Sequence, residues 1–383
     1  MTASKLRAAV TAILLGTAAT GAVALALAAP AQAATVSPKV GAALKEAQSL
    51  AAAGNYKGAM AKVNEAEAVP GKTADDTQVI NQMKQYIGVK SGDASIGGAA
   101  GAKAKFANDY NAGKFKDVIA DGELLRKYNA LDAQSQLIIA QAYYKAGDYA
   151  GCVKYTKSMS GNDTALELQA RCSYETGDDA TQRQALETLV ARSGKPEYWQ
   201  NLLKLAERSR GLSDHNTLDV NRIRFMTGNI STKDEYTLLA QLALQLGNAA
   251  EAQSIIEKGM AAKVLTDERS NRLLALAKTQ AAANAANLQK NIAAASGQPQ
   301  GDALVKVGED MIGQGKAKDA IGVIQQGLKK PLKDQANGQI RLGQAYLAAG
   351  QKADAQKAFQ AVKAPEKDAM VAHLWYLAAS RSK

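Results

Sequence analysis

Two histidines, two cysteines and a few acidic pairs are the residues through which this chain could do chemistry, and their spacing builds no reactive site. His215 and His373 stand far apart, no HExxH pair occurs, and no Cys/His cluster has zinc-site spacing. Gly71-Lys72-Thr73 has the ending of a phosphate-binding loop. The glycine needed five positions earlier is Ala66, so the match fails. His373, beside Trp375, reads as a packed or surface histidine. Asp178-Asp179 reads as a solvated turn pair, and Met159, Met226, Met260 and Met311 as core filler. The expectation is a protein that is not an enzyme and holds no cofactor or metal. Binding chemistry has more to work with. Arg192, Lys195, Lys204, Arg208, Arg210, Arg222 and Arg224 cluster in sequence and would suit an anionic polymer. Trp199 could be a ligand platform, but Leu202 and Leu203 follow at helical spacing and favour a core position.

The elements that must position these residues begin after a targeting segment. Lys5 and Arg7 give a basic start, Ala8 to Ala29 is apolar, and Ala31-Gln32-Ala33 offers a small-x-small cleavage site. This predicts a signal peptide over 1–33, cleaved after Ala33, and a periplasmic mature protein. The alternative is an uncleaved anchor, since the apolar run is long enough to span. No later segment is. The formal charge of +11 speaks to association rather than fold. Nucleic acid is not an expected partner in that compartment. Aromatic residues make up only 5% of the chain while alanine is abundant. That composition suits close helix packing and argues against a β-rich wall or a tryptophan-lined glycan cleft.

The helices declare themselves through repetition. AQAYYKAGDY at Ala140–Tyr149 has a near copy, GQAYLAAGQ, at Gly343–Gln351. In each, a small residue and a tyrosine three positions on share one helix face, and a glycine ends the helix. Gly113 and Gly147 are 34 residues apart, Gly315 and Gly350 are 35, and Gly247 and Gly315 are 68, twice 34. A period near 34 with these residues resembles the tetratricopeptide repeat, a helix–turn–helix unit. The expected organisation is N-terminal repeat-like helices over 34–90, a glycine-rich linker over 91–101, and a main array over 102–383. Arg210–Asp214, in a repeat that departs from the pattern, is a long turn that could project and carry specificity, though enlarged turns are also freely tolerated. Asp267 to Ala295 is one long helix or two with a kink, and Asp368 to Ser380 a capping helix.

The resemblance implies an all-α fold, an α-α superhelix of stacked helix pairs whose first helices line a concave groove. It implies a scaffold that binds a protein or peptide partner, here in a cell-envelope assembly or secretion complex. Numbering each first helix so that its turn glycine, or the equivalent residue, is position 15 places Gln48, Gln141, Gln241, Glu309 and Gln344 at position 9. That position faces the groove in this family. Positions 5 and 12 add Lys103, Tyr110, Leu137, Tyr144 and Leu347. A groove of amides and tyrosines could bond the backbone of an extended peptide. The array also makes Cys152 and Cys172 neighbours on successive helices. A disulfide is then expected, with two buried thiols as the alternative.

Overall fold

A computed structural model of the chain describes residues 36–381. The expected leader, cleavage site and N-terminus at Ala34 fall outside those residues. The chain is all-α, with no strand among the described residues. It forms two compact units that divide between Leu131 and Asp132.

Unit 1 holds five helices: α1 (Pro38–Ala52), α2 (Tyr56–Glu67), α3 (Ala74–Ser91), α4 (Ala94–Asn111) and α5 (Phe115–Lys127). Val40, Leu44 and Ala47 of α1 close on Ala59 and Val63 of α2 and on Ile80 and Ile87 of α3. Thr73 and Asp76 form a capping box that starts α3. The Asp76 carboxylate also accepts from the Ser37 N–H at 2.8 Å and its hydroxyl at 2.9 Å, tying the start of α1 to that of α3. These donors, led by the Thr73 and Ser37 N–H groups, hold the Asp76 carboxyl below its ordinary value.

The glycine-rich run is not a linker. It starts α4, which packs on α3 through glycines. A Cβ added at Gly97 would fall inside the Gly88 backbone, so the two helices approach as only glycine allows. The helix bends at Gly98, whose φ of 54° lies in the left-handed region. Linker composition and close-packing composition coincide here. The domain boundary accordingly falls at 131/132 rather than around 91–101.

Unit 2 holds α6 (Ala133–Lys145), α7 (Tyr149–Thr156), α8 (Asp163–Thr176), α9 (Asp179–Ser193), α10 (Pro196–Glu207), α11 (Asp214–Met226), α12 (Lys233–Gln245) and α13 (Ala249–Ala261). It continues through α14 (Glu268–Ala286), α15 (Leu288–Ser296), α16 (Asp302–Gly313), α17 (Ala317–Leu328), α18 (Gln335–Ala348), α19 (Lys352–Gln360) and α20 (Glu366–Arg381). These stack as the expected helix pairs. The turn after α6 shows how. Gly147, at φ 76°, donates to the Tyr144 carbonyl, and Asp148 donates to that of Tyr143 at 3.0 Å. Asp148 then caps α7 by accepting the Gly151 N–H at 2.8 Å. The long 267–295 segment is two helices, broken at Asn287.

Helix α20 covers the last pair and also packs back on α9 and α11. One core therefore joins Trp199, Leu202 and Leu203 of α10 to Ile340 of α18, Phe359 of α19, and Val371, Leu374 and Trp375 of α20. Trp375 stacks on Phe359 with centroids 5.9 Å apart, and Trp199 is a core residue. The turn at Arg210–Asp214 does not project as a free specificity loop. Lys367 of α20 donates to the Gly211 carbonyl at 3.1 Å, and Asn216 donates to Asp368 at 3.1 Å.

No helix among the described residues is long and apolar enough to cross a membrane.

Candidate functional site

Inside unit 2 the returning array brings α11, α13, α16 and α18 together around charge. Asp219 and Arg222 lie three apart on α11 and share a face. Arg341, wholly buried on α18, donates to both Asp219 oxygens at 2.6 and 2.8 Å. Arg222 forks onto Glu251 of α13 at 2.7 and 2.5 Å. It also donates to Glu309 of α16 at 2.8 Å. Gln344 accepts from Arg341 and donates to Asp219, both at 2.7 Å. Burial alone would push the Asp219 and Glu309 carboxyls up; Arg341 and Arg222 outweigh it and hold both below their ordinary values. Burial opposes the charge on Arg222 too, and Glu251 and Glu309 overcome it.

Glu309 and Gln344 were expected to line an open groove. They are buried in this network, because α18 meets α11 across it. Glu309 borders two cavities. One, of about 480 Å³, is walled by Phe225, Leu239, Ile255, Ile312, Leu347 and Trp375. The other, of about 220 Å³, contains His215, whose pKa is lowered by burial and then by Arg341. Among the described residues no group of three or more His, Cys, Asp or Glu could hold a metal.

The remaining groove residues behave differently. Gln141 and Tyr144 stand together, half-buried, on α6. Gln241 is exposed on α12. Lys103 is exposed and Tyr110 half-buried on α4, in unit 1. Two residues outside the expected groove set lie beside these. Arg171 of α8 lies over the Tyr144 ring, 4.7 Å from its centroid. Tyr174 of α8 is 54% exposed, with Arg208 at 5.2 Å over its ring. The repeat numbering already pointed to them, since the glycine at 177 makes Arg171 position 9 and Tyr174 position 12. Cys152 of α7 and Cys172 of α8 are joined by a disulfide with Cα atoms 6.2 Å apart, just behind this face.

The basic cluster in the sequence is not a free basic face. Arg222 is in the buried network. Arg192 pairs with Asp163 at 2.7 Å, Arg208 with Asp179 at 3.2 Å, and Arg224 with Glu207 at 2.9 Å. Helical rotation points neighbouring basic residues to different partners.

No family model and no curated protein matches the chain. Solved structures do resemble it. A tetratricopeptide repeat protein from Parabacteroides merdae is 11% identical over 89% of this chain and 99% of its own, with a TM-score of 0.20. The TPR domain of P58(IPK) is 14% identical over 89% and 97%, with a TM-score of 0.21. The repeat architecture described above rests on the helix pairs and turn glycines of this chain itself.

Proposed function

We propose that the chain is a non-catalytic interaction scaffold, working in the cell envelope after export, that binds a polypeptide partner on the α6–α8 face of unit 2. The observation that carries this reading is Tyr174. This large aromatic residue is 54% exposed on α8, one turn from Arg171, whose guanidinium lies over the Tyr144 ring, and α8 is tied to α7 by the Cys152–Cys172 bridge. The charged groups inside unit 2 pair with one another, whereas this run of first helices carries exposed and half-buried polar and aromatic groups. Gln241 on α12 is a further candidate contact. A disulfide is in keeping with an oxidising compartment.

Replacing Gln141, Tyr144 and Gln241 by Ala tests the reading. Circular dichroism and the melting temperature should change little while retention of a partner from envelope extracts falls. Retention equal to that of the unaltered protein would remove the face from consideration. N-terminal sequencing of the mature protein tests export: Ala34 is the expected start, and an intact Met1 would contradict it.

A further inference from the structure

We propose that the partner segment is an extended, acidic stretch of polypeptide whose carboxylates are taken by Arg171 and Arg208 between the rings of Tyr144 and Tyr174. This rests on the scaffold reading and names what its α6–α8 face selects.

Arg171 is half-buried, and its one partner among the described residues is the face of Tyr144. A guanidinium held over a ring by its charge leaves its N–H groups able to fork onto a carboxylate. Among the described residues no carboxylate does this. Glu167 and Glu175 lie one turn to either side on α8, and neither forms an ion pair with Arg171; Glu167 instead accepts from the Tyr198 hydroxyl. The construction recurs one repeat further on. Arg208 lies over Tyr174, steadied by Gln182 at 2.9 Å and Asp179 at 3.2 Å through one terminal nitrogen. Its other nitrogens remain for a ligand.

The result is an alternating strip, Tyr144, Arg171, Tyr174, Arg208, running over α6, α8 and the end of α10. Packed helices lie about 8–10 Å apart. An extended chain of polyproline II type advances roughly 3.1 Å per residue with three residues per turn, so every third side chain falls on one face. Acidic side chains three residues apart would therefore meet successive arginines, with the intervening side chains against the tyrosines.

The test is fluorescence anisotropy at low salt with a labelled peptide of Glu-Val-Thr triplets, about twelve residues long so as to span both arginines at roughly 3.1 Å per residue. The matching Gln-Val-Thr peptide is the comparison. The glutamate peptide should bind and the glutamine peptide should bind about tenfold or more weakly, the scale of a charge-assisted pair. Arg171→Gln and Arg171→Glu should each cause a similar loss with unchanged circular dichroism. Arg272→Glu, which alters an exposed ion pair on α14, should not. Equal affinity for the two peptides, no binding of either, or indifference to Arg171→Glu would overturn the proposal. So would Arg171-dependent binding to phosphatidylserine vesicles without peptide binding. If photo-crosslinking from position 141 still traps a partner in the Arg171→Glu variant, the scaffold reading stands and the acidic selection alone falls.

Discussion

Arg341 is a guanidinium with no exposed surface, and its worth lies in what would be left behind without it. The bidentate bond to Asp219 and the contact with Glu309 offset the cost of burying three charges. Arg341→Met should cost about 3–5 kcal/mol in urea unfolding, because two buried carboxylates each lose one of the two arginines that balance them. The same network sets an acid limb. Asp219 and Glu309 have folded pKa values below their unfolded ones, so their contribution is full above pH of about 4 and is lost as pH falls through the folded values. Unfolding midpoints measured down the acid range should fall less steeply when Asp219→Leu and Arg341→Met are combined. Little of this was legible beforehand. Helical register placed Glu309 and Gln344 on an open groove; that α18 meets α11, 122 residues away, and buries them leaves no local pattern.

At the scale of elements, glycine carries two meanings that composition does not separate. At Gly147 and its counterparts it ends a helix, and the 34-residue spacing made these turns readable. At Gly97 it permits contact, and that depends on a neighbour the local sequence does not name. Gly97→Ala should destabilise unit 1 by about 1–3 kcal/mol, as overpacking does. Gly322→Ala, in α17 with open space around it, should stabilise unit 2 by about 0.5–1 kcal/mol. Denaturant titration of each variant checks the pair. The disulfide between α7 and α8 closes a loop with a sequence separation of 20. Reducing it should cost about 3 kcal/mol by the loop-entropy account, read as a lower urea midpoint in the presence of a phosphine reductant. The repeat register made Cys152 and Cys172 neighbours without saying how close they would come.

For the molecule as a whole, α20 decides what unit 2 can offer a partner. It was readable as a terminal helix from its apolar spacing. Its return to α9 and α11 was not, because contacts so distant in sequence leave no local pattern. Trp375→Ala should cost about 3–5 kcal/mol, and hydrogen exchange should rise in α9 and α11 as well as in α18. The α6–α8 face is the working surface proposed for this unit. Photo-crosslinking in living cells tests that most directly, with a photoreactive residue at position 141 and, separately, at exposed Lys290 on α15. The account predicts one dominant adduct from position 141 that disappears on Tyr174→Ala, and none from position 290. Adducts from both positions alike, or from position 290 only, would contradict it.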